Sequence, residues 1–291
     1  MKFDVWLPTA NPFTTPQLLT AIGREAEERG VHTIWVGEHV VTFDDYASSY
    51  PYSDDGRIPL PAGTGLLEPF TTLAFLAGLT DRVRLGTAMC LLPQRNPVYT
   101  AKEVATLDWL SQGRVDLGVG VGWLREEFDA LEVPWEQRGA RTDDYLDVLK
   151  TLWCEDPSSF AGDFYTLKPC SQFPKPIQVP HPPIHIGGES DAALRRTARM
   201  AQGWHSFNRP PADLAAPLAR LDELLEAEGR SRAEITVTVC PYFQELSPQT
   251  VDAYAAAGAD AVAALLFVLD PGDVAGAFDA LGPCIEKARA S

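Results

Sequence analysis

Gly37, Glu38 and His39 follow directly on a short apolar run, His32 to Val36, that reads as a buried strand. In a parallel α/β fold, reactive groups collect at the carboxyl ends of strands, because the loops there vary without disturbing the core. A carboxylate beside an imidazole at such an end is an acid–base pair able to move a proton to or from a substrate. The same residues also fit a plain loop whose histidine only makes a hydrogen bond. Three further stretches bear on the choice. Gly187-Gly188-Glu189-Ser190 lets the backbone approach a ligand and then opens a helix whose free amides and dipole favour a phosphate. It equally describes a tight strand-to-helix turn with a serine cap, and Glu189 suits a phosphate only if its side chain turns away. Gly118-Val119-Gly120-Val121-Gly122-Trp123 leaves room for a flat ring or another backbone, or simply fills a tapering barrel. Thr87-Ala88-Met89 lies late in another strand.

These stretches need elements to hold them, and the chain supplies a regular alternation. Phe3 to Leu7 is a strand ended by Pro8. Thr15 caps a helix with Pro16 in its first position, an apolar face of Leu18, Leu19, Ile22 and Ala26, and a stop at Arg29-Gly30. Later strands are expected at Val83 to Leu91, Val115 to Val119, Ile184 to Ile186, Gly203 to Phe207, Ile235 to Phe243 and Ala261 to Val268. Helices fall between them, among them Pro69 to Leu79, the run opened by Asn96-Pro97, Arg141 to Trp153 and Asp191 to Met200. Eight βα units in 291 residues point to one domain, a (β/α)8 TIM barrel, rather than an open doubly wound sheet. Two insertions interrupt it. Val41 to Glu68, carrying Phe43, Tyr46, Tyr50 and Tyr52, reads as a lid for a partly apolar small-molecule substrate. Residues 154–182, with a hairpin expected over Phe160 to Leu167, precede the fifth strand.

Composition narrows the function. With 24 basic against 40 acidic residues the formal charge is −16, which argues against nucleic acid or an anionic membrane as partner. No apolar run approaches a membrane span, and the five cysteines are scattered without CxxC spacing, as expected of reduced thiols in a cytoplasmic protein. No metal site is expected, since His181 and His185 are separated by prolines. Lys102 and Lys150 fall in helices, leaving no strand-end lysine for a Schiff base.

Taken together, Ile34-Trp35-Val36-Gly37-Glu38-His39, Arg84-Leu85-Gly86-Thr87, Leu92-Pro93 with Pro97, Ser111-Gln112-Gly113-Arg114 and Gly118 to Trp123 resemble the bacterial luciferase-like monooxygenase superfamily. The run Gly118 to Phe128, GVGVGWLREEF, is most similar to its oxidoreductases that use coenzyme F420, a deazaflavin. The resemblance implies a TIM barrel with the cofactor across its carboxyl-end mouth, and a homodimer. It implies a non-proline cis peptide at Ala88-Met89 that, with Thr87, backs the ring. Gly120, Val121 and Gly122 would line the cofactor site, and Gly187, Gly188, Glu189 and Ser190 would hold its phosphate. His39 would exchange a proton with the substrate, and Glu38 would orient the ring or the imidazole. Bacterial luciferases have an arginine at the place of Val121 that helps hold the phosphate of reduced FMN, so its absence here counts against the alternative, an FMN monooxygenase. A non-catalytic flavin- or deazaflavin-binding protein is the third reading. The acidic surface suits the glutamate tail of F420 poorly, and Arg57, Arg95, Arg125 and Arg195 are the cations that could offset it.

Overall fold

Every expected strand forms, and each is followed by a helix, in a computed structural model that describes residues 1–291. The barrel strands are β1 (Lys2–Leu7), β2 (Thr33–Val36), β3 (Arg84–Thr87), β4 (Val115–Gly120), β5 (Ile184–Gly187), β6 (Gly203–Phe207), β7 (Thr236–Cys240) and β8 (Ala261–Leu265). They pair in parallel in that order, and β8 returns to pair with β1 in the register Trp6 to Leu265, closing the barrel. The protein is therefore a TIM barrel.

The helices are α1 (Pro16–Arg29), α2 (Pro69–Ala77), α3 (Pro97–Leu110), α4 (Arg125–Ala130), α5 (Arg138–Cys154), α6 (Asp191–Met200), α7 (Ala215–Ala227), α8 (Pro248–Ala256) and α9 (Val274–Ala290). α1 shows why they form where they do. The Thr15 hydroxyl accepts from the amide of Leu18 at 3.2 Å, Pro16 occupies the first turn, and Gly30 takes the left-handed φ of 63° that ends the helix. Its apolar stripe joins the core of 55 buried apolar residues between sheet and helices.

Two local features depart from the expectation. The third strand does not run unbroken from Val83 to Leu91: it stops at Thr87, passes through Ala88-Met89, which is cis as the resemblance implies, and resumes at Cys90–Leu91, which pairs with Val119 and Gly120 of β4. The short helix α4 falls inside a stretch read only as a glycine-rich motif, because six residues are too few to show a helical period.

The insertion after β2 is tied down, and the one before β5 forms the expected hairpin. Gly65–Leu66 pairs antiparallel with Ala10–Asn11, fastening the insertion after β2 to the loop after β1. The hairpin before β5 is Ser158–Ala161 with Thr166–Cys170. No helix is long and apolar enough to cross a membrane.

Barrels of this kind are usually filled by Val, Ile and Leu. Here the amino-terminal half of the interior is polar. Asp4 accepts from the Trp35 indole at 2.9 Å, and Arg84 donates to both Asp116 oxygens at 2.7 and 2.8 Å. Burial alone would raise the Asp116 carboxyl, but hydrogen bonds from His185 and Arg84 outweigh it and hold the carboxyl well below its usual range. A polar cavity of about 320 Å3 opens beside these residues at the barrel's amino-terminal end. The apolar chemistry lies at the other end.

Candidate active site

At the carboxyl ends of the strands lies a cavity of about 470 Å3, and 25 of its 39 lining residues are hydrophobic, so a largely apolar molecule fits it. Glu38 and His39 from the end of β2 line it, as do Ala88 and Met89 after β3. Gly120, Val121 and Gly122 after β4 and Gly187 and Gly188 after β5 complete this part of the wall. Thr87, Glu189 and Ser190, also expected at the cofactor site, are not part of its lining.

His39 is held from both sides. Its Nδ1 lies 3.1 Å from a carboxylate oxygen of Glu127, which can only accept, so the proton sits on Nδ1. Nε2 is then a lone pair, and it accepts from the Trp123 indole at 3.3 Å. Glu127 comes from α4 and its side chain is fully buried. The same carboxylate accepts from the amide of Val40 at 2.6 Å and from the Gln94 side chain at 3.1 Å. Glu38, beside His39 in sequence, turns elsewhere: it accepts from the amide of Leu91 at 2.6 Å and from Arg95 at 2.8 Å. Burial pushes the Glu38 carboxyl upward, against the pull of Arg95. The carboxylate on the imidazole is thus Glu127, 88 residues further on. Sequence reasoning passed over it, although Glu126-Glu127, shortly after the glycine run, was the available signal.

The rear wall is built around Met89. The Trp6 indole donates to the Ala88 carbonyl at 3.1 Å and fixes the bend there. A Cβ on Gly187 would fall 2.5 Å from the Met89 side chain, and one on Gly118 only 2.0 Å from the Thr87 carbonyl. These glycines therefore make room for the chain's own bent third strand, whichever ligand lies in front. Thr87 is buried, and its hydroxyl donates to the Gly118 carbonyl at 2.7 Å.

Beyond it, Gly188 has φ +114°, a conformation L side chains rarely adopt, and Ser190 caps α6 by accepting from the amide of Ala193 at 3.2 Å. The Glu189 carboxylate does turn away. It accepts from the amide of Phe207 at 2.8 Å and pairs with Arg209 at 2.8 Å, so its charge does not oppose an anion at the α6 amino terminus.

The four arginines considered from sequence are all engaged by acids. Arg95 meets Glu38, Glu68 and Glu103; Arg125 meets Asp129 and Glu136; Arg195 meets Asp191; Arg57 lies 3.9 Å from Asp45 and over the Tyr46 ring. Arg138, not considered, has no carboxylate partner. It stacks 3.6 Å over Trp135 and donates to the Gly122 carbonyl at 3.2 Å, and burial lowers its pKa. The next residue, Gly139, accepts from Arg196 of α6, which ties the start of α5 to that helix.

The insertion after β2 covers the mouth. Glu126 accepts from the amide of Ala47 at 2.6 Å and the Ser48 hydroxyl at 2.7 Å, while its neighbour Glu127 holds Val40. Tyr46 and Tyr50 pack edge-on against Trp123 at 5.7 and 5.1 Å, so the lid rests on the indole that touches His39.

His205 lines the floor of the cavity, 1% exposed, edge-on to Trp35, and neither ring nitrogen has a protein partner. Burial, with neighbouring His185 adding to it, pulls its pKa down to about 3. An unfolded histidine titrates near about 6.5, so below that pH the unfolded chain binds a proton that the folded one refuses. Stability from this group is complete above about 6.5 and declines as the pH falls toward about 3, by up to about 1.4 kcal/mol per pH unit. His205→Asn is expected to flatten that part of the profile, read as urea midpoints between neutral and acid pH. Parallel profiles for the two proteins would show that His205 is not the group responsible.

Known proteins now bear on this geometry. The family model described as luciferase-like monooxygenase matches residues 1–275, and the chain belongs to that family. A Mycobacterium tuberculosis relative, an uncharacterized protein, is 32% identical over 231 residues, 79% of this chain and 80% of its own. An FMNH2-dependent dimethylsulfone monooxygenase of Pseudomonas putida is 35% identical over 144 residues, 48% of this chain and 39% of that protein. An F420-dependent glucose-6-phosphate dehydrogenase of Kineococcus radiotolerans is 28% identical over 229 residues, 77% of this chain and 63% of that protein. Among solved structures, a Streptomyces bottropensis monooxygenase superposes with TM-score 0.77 at 22% identity, covering 97% of this chain and 98% of that one. An F420-dependent secondary alcohol dehydrogenase gives 0.76 at 15% identity, covering 98% of each. These likenesses confirm the luciferase-like barrel. The relatives include oxidoreductases that use F420 and others that use FMN.

Proposed function

We propose that the chain is an F420-dependent oxidoreductase that moves a hydride between the deazaflavin and a small organic substrate, with His39 exchanging the accompanying proton. The observation that carries this reading is the buried Glu127–His39 pair, which presents an acceptor nitrogen on the wall of a largely apolar cavity. When bound, the deazaflavin supplies a two-electron hydride donor or acceptor. The chain does the rest. A substrate hydroxyl takes the place of the Trp123 indole at Nε2, His39 accepts its proton, and Glu127 stabilises the imidazolium that forms. In the reverse direction the same atom returns the proton. The lid tyrosines and Trp123 exclude water from the reacting atoms.

The residues fit such a cofactor on structural grounds. Met89 and Ala88 form a firm wall for a flat ring. Gly188 and the α6 amino terminus suit a phosphate, and Arg138, free of any carboxylate, is held at the neighbouring Gly122 carbonyl. The alternative is a reduced-FMN-dependent monooxygenase using the same pocket, favoured by the stretch of 35% identity to an FMNH2 enzyme. Val121 on the cavity wall, offering no charge to a flavin phosphate, tips the balance to F420.

Titrating the purified protein with F420 and with FMN, each oxidised and reduced, tests this. Micromolar or tighter F420 binding with weak FMN binding is expected. Tight binding of reduced FMN alone would make the protein an oxygen-using enzyme, and binding of neither would withdraw the cofactor assignment.

A further inference from the structure

The mouth cavity does not end at the reaction site. Side chains alternate across a strand, so Trp6 of β1 and Leu265 of β8, paired in register, face the barrel interior, while Leu7 and Leu266 face the helix layer. All four line one cavity. The space therefore passes over the ends of these two strands and enters between the sheet and α1. There it meets Leu18, Leu19 and Ile22, the buried face of the first turns of that helix. Phe13, Phe267 and Leu269 stand at its rim, 38%, 65% and 48% exposed, more than large apolar side chains with a packing partner usually are. Thr9 adds a hydroxyl on the same wall, 1% exposed and without a partner in the chain.

We infer that this slot binds the lipophilic tail of the substrate, an alkyl or similarly apolar chain extending from the reacting carbon over the rim of β1. The proposal rests on the preceding reading for the position of the reacting end. The aliphatic lining decides the occupant. A glutamate tail or a phosphate placed there would lose its hydration and gain no cation in return, so the slot suits the substrate and not the charged end of either cofactor. Thr9 lets the chain carry one ether, ester or carbonyl oxygen. Two strand spacings separate the ends of β2 and β8, about 10 Å, so short substrates reach His39 without entering the slot, and longer ones fill both.

The test is binding of straight-chain primary alcohols, from butanol through hexanol and octanol to decanol, by calorimetry on the protein without cofactor. Affinity is expected to rise about fourfold per methylene once the chain is long enough to enter the slot. Val268→Trp, at a half-buried rim position, should flatten that rise, and Ile22→Phe should do so from inside. Melting temperature checks that each variant folds. Affinities independent of chain length, or an equal rise in wild type and Val268→Trp, would overturn the proposal. Because the readout needs no cofactor, the slot can stand if F420 and FMN both fail to bind, and can fall if one of them binds.

Discussion

His39→Ala is expected to lower turnover by roughly 10²–10⁴-fold while leaving cofactor affinity nearly unchanged. The size follows from the role proposed for the imidazole. Moving a hydride to or from an alcohol carbon requires a proton to leave or reach the oxygen, and Nε2 of His39 is the acceptor that the fold holds ready, oriented by Glu127 and covered by Trp123. Water substitutes poorly in a largely apolar cavity whose mouth the insertion after β2 overhangs. Affinity is spared because the phosphate site proposed above, Gly188 and Ser190, follows another strand. The measurement is cofactor oxidation or reduction under saturating substrate, beside a direct titration of cofactor. Full turnover in the variant would remove His39 from the mechanism, and the same variant separates an enzyme from a non-catalytic binder, in which nothing that matters would be lost.

The barrel was legible in the sequence because its signals are local. Thr15-Pro16 and Arg29-Gly30 bracket α1 by chemistry that needs no partner elsewhere, and Asn96-Pro97 opens α3 in the same way. The place of the site was legible for the same reason, since strand ends follow from strands. Partners were not. Glu38 and His39 are adjacent in sequence, yet in the extended backbone that follows a strand successive side chains diverge, and the two go to different elements: Glu38 to Arg95, His39 to Glu127. Pairing across 88 residues depends on how α4 is set against the end of β2. The polar barrel interior was hidden similarly. Asp4, Arg84, Asp116 and His185 lie far apart along the chain, and only barrel closure reveals them as one cluster. The glycines of β4 and β5 were ambiguous from sequence because their neighbour is Met89 of a bent strand, visible only in three dimensions.

Glu127 is the residue on which both the fold and the chemistry of this end converge, and two substitutions separate its roles. Glu127→Ala removes the acceptor from the His39 imidazole, the Val40 amide and the Gln94 side chain together, leaving buried donors unpaired. A loss of about 3–5 kcal/mol is expected, and a fall in melting temperature on the order of 10 °C. Glu127→Gln keeps the volume but replaces one acceptor oxygen by a donor. Placed toward Val40, that NH2 meets an amide N–H; placed toward His39, it meets the Nδ1 proton and Gln94. The imidazole escapes the second clash only by moving its proton to Nε2, which then points a donor at the Trp123 indole and can no longer accept from substrate. Because glutamine keeps the volume and one acceptor oxygen, this variant should lose less melting temperature than the alanine variant, yet without the carboxylate charge that stabilises the imidazolium it should lose turnover nearly as severely as His39→Ala. A glutamine variant that melts normally and turns over normally would leave Glu127 as a brace for the lid and detach it from proton transfer. A loss of turnover without loss of fold would place the proton on Nδ1 and the acceptor on Nε2, the arrangement that the proposed hydride transfer requires.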